Sequence, residues 1–153
     1  MQENIKDVIG RLITISDAIG IDLVFKEKND CKSCPTTCGT FQSKNLREFF
    51  IEIFLEPCGC DYELIYLYLA HELGHALWHL EHPREWHLTC QKYGNPYKSK
   101  KLDAAISVHD NEQDAWGTAK FLLENAGYTN WDAYQSLMDG VLKRYISNVW
   151  NYG

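Results

Sequence analysis

A chain of 153 residues with 45% apolar and 24% charged side chains suits one soluble globular unit with a core of useful size. The net charge of −6, from 15 basic and 21 acidic residues, argues against nucleic acid as a direct partner. No apolar run reaches the roughly 18 residues of a membrane span, because His71 and Glu72 interrupt the longest one, so no membrane partner is expected.

The first seven residues show no basic stretch leading into an apolar one, so no signal peptide is read and a cytoplasmic location is the expectation. In that compartment the six cysteines should be reduced, metal-bound or redox-active rather than joined in structural disulfides. Residues 3–19 place Ile5, Val8, Ile9, Leu12, Ile15 and Ile19 at helical spacing, and Gly20 is suited to end that helix. Residues 21–25 then read as a strand.

Residues 29–40 read as a loop holding Cys31, Cys34 and Cys38. The next strand is expected over residues 47–55, where Phe49, Ile51, Ile53 and Leu55 alternate with Phe50, Glu52, Phe54 and Glu56. Half of the second set is aromatic, so both faces of the strand are expected to be partly covered. Cys58 and Cys60 follow at once. Cys31, Cys34, Cys38, Cys58 and Cys60 therefore bracket one strand from two loops, a pattern by which structural zinc sites are assembled. A second, structural zinc is one reading of the Cys-rich loops of residues 29–60; reduced thiols, a disulfide and a redox pair are the others.

Asp61 stands where a helix cap is wanted, and the chain then runs Leu64-Ile65-Tyr66-Leu67-Tyr68-Leu69-Ala70 into His71-Glu72-Leu73-Gly74-His75-Ala76-Leu77-Trp78. A helix apolar on nearly every side is a buried one, and a buried helix carrying two histidines and a glutamate needs partners for them. H-E-x-x-H spacing places His71 and His75 one turn apart on one face, where two imidazoles can bind one ion. Glu72 is turned about 100° from His71 and is suited to act as general base instead. The helix is expected to stop near His82, ahead of Pro83. Residues 84–107 show no clear element, and their Lys98-Ser99-Lys100-Lys101 cluster reads as a solvated face.

From residue 109 on, Ala115, Trp116, Ala119, Leu122, Leu123 and Ala126 form a helical stripe that also includes Glu112. Asp110 or Asn111 is the expected cap and Gly127 the terminator. Residues 130–150 form a last amphipathic helix through Tyr134, Leu137, Met138, Val141, Leu142, Tyr145, Ile146 and Val149, with a capping box in Thr129-x-x-Asp132.

A catalytic zinc keeps three protein ligands and one open position. His79 and His82 lie on the metal helix itself, but the metzincin positions for the glycine and the third histidine hold Trp78 and Glu81, and a straight helix carries His79 a full turn beyond His75. Glu112 is preferred as third ligand, since a carboxylate on an inward stripe should be paired or metal-bound. Asp114 is second in line as ligand and otherwise a partner to a ligand histidine; Asp110 and His109 follow.

Ala70-His71-Glu72-Leu73-Gly74-His75-Ala76-Leu77-Trp78-His79, with the later Glu112-x-Asp114-Ala115 and the N-terminal helix and strand ending at Phe25, resembles the ImmA/IrrE family of small zinc metallopeptidases, of gluzincin type. The resemblance covers about residues 1–125. It implies a single metallopeptidase-like domain over residues 1–153, of α+β class and zincin-like: a small antiparallel or mixed sheet packed on a buried H-E-x-x-H helix with further helices after it. It also implies a zinc cofactor held by His71, His75 and Glu112, with Glu72 catalytic. The implied partner is a protein or peptide substrate, such as the helix-turn-helix repressors cut by characterised members, which are of mobile-element or stress-response type. The chain departs from the family in its cysteine clusters, in Trp116 where a small polar residue is common, and in Thr118 where an aromatic is common.

Hydrolysis of a peptide bond is thus the expected activity, with Tyr93, Tyr97 and His109 as candidate oxyanion donors. The strand of residues 47–55 is read either as core or as a template that aligns an extended substrate by edge pairing. A metal-containing but non-catalytic protein-binding module is the alternative from another class, and a small-amide hydrolase is the second.

Overall fold

The computed structural model describes residues 2–30, 32, 37–43, 48–59 and 61–152. Among them the chain runs through helix α1 (Gln2–Ala18), strands β1 (Asp22–Lys26), β2 (Gly39–Ser43) and β3 (Phe49–Phe54), then helices α2 (Tyr62–Glu81), α3 (Pro83–Tyr93), α4 (Leu102–Asn125) and α5 (Trp131–Tyr152). The class is α+β, with five helices and a small three-stranded mixed sheet among the described residues, α1 and α2 packing on the sheet. None of the described helices is long and apolar enough to cross a membrane.

Periodicity places α1 correctly: Val8 and Leu12 are buried against the rest of the core. Gly20 follows the helix at φ +74°, a conformation that favours glycine. The buried Ser16 hydroxyl then donates to the Ile21 carbonyl at 2.7 Å, tying the helix end to the start of β1.

The sheet has the order β1-β3-β2, with β1 parallel and β2 antiparallel to β3. β3 is thus the central strand, hydrogen-bonded on both sides. Of its two expected roles it takes the core one: it has no free edge with which to align a substrate. Ile51 and Ile53 are fully buried, and Glu52 on the opposite face is buried too. Burying that carboxylate requires partners; Lys26 on β1 forms an ion pair with it, and the Gln42 amide on β2 donates to it at 2.9 Å. The free edge on the side of the metal helix belongs to β2, which alternation did not reveal.

α2 begins at a cap of the expected kind, the Asp61 carboxylate accepting from the Glu63 and Leu64 amides at 2.9 and 3.3 Å. Such a cap contributes about 1 kcal/mol. The helix is nearly all buried from Ile65 to Ala76 because it is covered on several sides, by α1, by β2 and β3, and most extensively by α4.

The region expected to lack structure contains α3 and the first turns of α4. Pro83, read as a stop, is the N-terminal residue of the next helix, a position where its missing amide proton costs nothing. α4 starts at Leu102 rather than near residue 109, so Asp110 and Asn111 are mid-helix residues and cap nothing. Its buried stripe extends back from Glu112 through Val108 to Ala105 and Ala104. At α5 the amide of Ala133 finds the Asn130 side chain, 3.4 Å away, rather than the capping box read at Thr129.

Candidate metal centre

His71 and His75 emerge one turn apart from the buried middle of α2, and Glu112 comes to them from α4. The helices can approach because residue 74 is a glycine. A Cβ there would lie 2.2 Å from the Ala115 carbonyl oxygen, far inside contact distance, so the motif's second variable position is fixed by the packing of α4. Ala115 is three residues beyond Glu112, and the same close crossing delivers the carboxylate.

The two imidazole nitrogens lie beside each other, and each faces a different oxygen of the Glu112 carboxylate. His71 Nε2 and His75 Nε2 are 3.2 Å apart, His71 Nε2 lies 3.0 Å from Glu112 Oε2, and His75 Nε2 lies 3.3 Å from Glu112 Oε1. Donors bound tetrahedrally at about 2.0–2.1 Å sit roughly 3.3 Å from one another. The residues therefore fit a metal ion, and the buried group His71-His75-Glu112 can hold one.

Surrounding side chains orient the ligands. Tyr97 donates its hydroxyl to Glu112 Oε1 at 2.6 Å. Asn111, one residue before Glu112, lies beside His75 and helps raise its pKa. The His71 ring lies on the fully buried Trp116 ring, centroids 4.3 Å apart and planes at 27°. Its Nδ1 has no hydrogen-bond partner, so stacking sets its orientation where a hydrogen bond usually would.

The buried groups of the site shift one another's ionisation. Burial resists ionisation of Glu112, but His75 and His71 overcome it and hold the carboxyl well below the usual range. Burial likewise opposes a proton on His75, and Glu112, with Glu72 and Asn111, raises its pKa all the same. A metal ion held here would supply positive charge next to the Glu112 and Glu72 carboxyls.

Glu72, also buried, is the next residue on α2. Burial raises its pKa, although His71 and His75 pull the other way, and the Phe41 backbone hydrogen-bonds to it. Gly39, at the start of β2, leaves the room it needs: a Cβ there would stand 3.2 Å from Glu72 Cγ. His71, Glu72, His75 and Glu112 all face a cavity of about 680 Å³. β2 forms one wall with Thr40 and Phe41, and α5 forms another with Val141, Arg144, Tyr145 and Asn148.

The remaining candidates fall elsewhere. Asp114 is exposed and neither ligates nor touches a ligand histidine; it lies two residues past Glu112, off the inward stripe. His109 and Asp110 face each other at 3.4 Å away from the cavity. Tyr93 lies beneath the Lys92 ammonium, 5.0 Å from its ring centre, and of the three suggested oxyanion donors only Tyr97 lines the cavity. His79 lines it too, among Phe41, Phe49 and Trp86 at 5.1, 5.9 and 5.9 Å, and burial with the nearby His75 lowers its pKa to about 4. His82 stacks on Trp78 at 5.0 Å instead.

Of the five clustered cysteines, Cys31, Cys34 and Cys60 lie outside the described residues. Cys38 and Cys58 are buried side by side: a hydrogen bond from Cys58 lowers the Cys38 pKa against the effect of burial, and Cys38 lines the cavity. Asn111, Phe41, Trp86 and Arg144 were not recognised from sequence. Only the α5 wall had a readable signal, because Val141, Arg144, Tyr145 and Asn148 follow i, i+3, i+4, i+7 spacing. Compared with known proteins, the chain matches no family model, no curated protein and no solved structure.

Proposed function

We propose that the protein is a zinc-dependent peptidase acting on a protein or peptide substrate. The observation that carries this reading is the buried group of His71, His75 and Glu112, whose ligand atoms all lie within 4.8 Å of one another, with the buried Glu72 carboxyl beside it and all four opening on one cavity. A His₂Glu set is the donor chemistry of zinc sites that hydrolyse peptide bonds. Zinc, when bound there, supplies a Lewis acid and lowers the pKa of a water toward about 7.

Glu72 takes the proton from the attacking water and returns it to the leaving amine. Its raised pKa suits the return, since a carboxyl held in a buried setting keeps a proton more readily than an exposed one. Tyr97 holds Glu112, and Asn111 holds His75, so that the ligands keep their geometry. β2, an edge strand with Thr40 and Phe41 on the cavity, is the element suited to receive an extended peptide. A metal helix covered on one side by a small sheet also agrees with a zincin-like architecture. A helix-turn-helix repressor as substrate is an extension of the same reading and rests on the motif resemblance alone.

Glu72→Gln tests the chemistry. The variant is expected to keep its zinc, by elemental analysis, and to cut a mixed peptide pool about 10²- to 10⁴-fold more slowly. Equal cleavage by wild type and variant would remove Glu72 from the reaction. Zinc in both with cleavage in neither would favour a non-catalytic binding module.

A further inference from the structure

The geometry points to Arg144 as the anchor for a carboxylate on the substrate, making this a site for acidic or chain-terminal peptide segments. This rests on the peptidase reading and names its substrate class.

Arg144 is the sole lysine or arginine among the described residues lining the cavity. It stands in the middle of the α5 stripe that faces the cavity, between Val141 and Asn148 and next to Tyr145. It makes no hydrogen bond or ion pair with any described residue, while Lys26, the partner of Glu52, shows that this chain pairs its charges where the fold wants them paired. Its charge is felt by Tyr68, one turn before Glu72, and by Tyr145. The two other charges among the described lining residues, Glu72 and Glu112, would be matched by a divalent ion, which leaves the Arg144 charge uncompensated among them. That matters because the chain as a whole carries −6 and would repel an anionic segment. A guanidinium offers a planar fork of donors that matches a carboxylate on two oxygens, and the exposed position leaves the fork open to an arriving ligand.

The test uses zinc-loaded full-length protein and a pool of short peptides. Each peptide with Asp or Glu is paired with its Asn or Gln counterpart, and each free C-terminus with its amide. Wild type is expected to favour the carboxylate member of one pairing about tenfold in kcat/KM, mainly through KM. R144Q should bring that ratio near one, and R144K should keep part of it. Sensitivity to the side-chain pairing identifies an acidic residue as the ligand; sensitivity to the terminal pairing identifies a chain end. Binding is read separately, by fluorescence anisotropy of dye-labelled peptides on Glu72→Gln protein with and without R144Q. Cleavage without carboxylate preference, or a preference that survives R144Q, overturns the inference and leaves the peptidase reading standing. Arg144-dependent binding with no cleavage by wild type supports the anchor and overturns the peptidase reading. Neither cleavage nor binding overturns both.

Discussion

His71 and His75 are held by different means. Beyond Glu112, which meets both rings, His75 has a polar neighbour in Asn111, whereas His71 has the face of Trp116. Removing the Asn111 amide should therefore loosen His75 alone. Asn111→Ala is expected to weaken zinc affinity about 10- to 100-fold in competition with a chromogenic chelator, with the helical content unchanged; unaltered affinity would show that the α2 backbone alone suffices. His79 offers a second residue-level expectation. Its ordinary pKa of 6.5 falls to about 4 in the fold, through burial and then His75. The unfolded chain takes up this proton as pH drops below about 6.5, while the folded chain resists until about 4. Stability present above the upper value is lost across that window, by up to about 2 kcal/mol. Denaturant unfolding of metal-free protein at several pH values should show the loss in wild type and a shallower slope in His79→Phe, which keeps an aromatic ring against Phe41 and Trp86. Parallel slopes would refute the assignment.

Among the elements, the crossing of α2 and α4 matters most. Gly74→Ala would place a methyl on the Ala115 carbonyl, and neither backbone can rotate away. The helices must separate, and Glu112 moves with α4. A loss of about 3 kcal/mol in stability, together with weaker zinc binding, is expected from denaturant and metal titrations. Wild-type behaviour in both would mean that the crossing is looser than it looks. The same elements show what the sequence could disclose. α1, α2 and α5 bury apolar stripes, and stripes are legible; Asp61 capped α2 where its side chain said it would. α3 buries none of its residues fully; its half-buried stripe of Trp86, Thr89, Cys90 and Tyr93 keeps helical spacing but mixes polar with aromatic side chains, and it was not read. β2 is a short Gly-Thr-Phe-Gln-Ser segment whose strand conformation comes from pairing with β3, not from its own composition. The start of α4 has Lys101 at its cap position with no side-chain bond, so nothing marked it. Asn111 was mistaken for a cap because asparagine is common there; only the added turns of α4 reveal it as a buried partner of His75. Glu112 was legible by contrast, since a carboxylate on an apolar stripe is chemically conspicuous.

For the whole molecule, an ion that binds only the folded chain adds its binding free energy to folding. Free zinc at a thousand times its dissociation constant should stabilise the protein by about 4 kcal/mol, a rise in Tm on the order of 10 °C at this chain length. A thermal scan with zinc, then with excess chelator, should show the rise and its reversal, and Glu112→Ala should abolish both. A second zinc retained by Glu112→Ala in elemental analysis would place an ion at the cysteines.

The division of the ligands between α2 and α4 also sets an order of events. Two histidines on one turn are available as soon as α2 forms, but the carboxylate arrives only after α3 has been laid down and α4 has docked. Contacts far apart in the chain form late, because a long loop must close first. An ion meeting the nascent chain would find two of the three ligands and let go. A metal ion held there would therefore be a latch on a finished structure rather than a seed for its assembly, and the protein would have to reach its shape before it could be loaded.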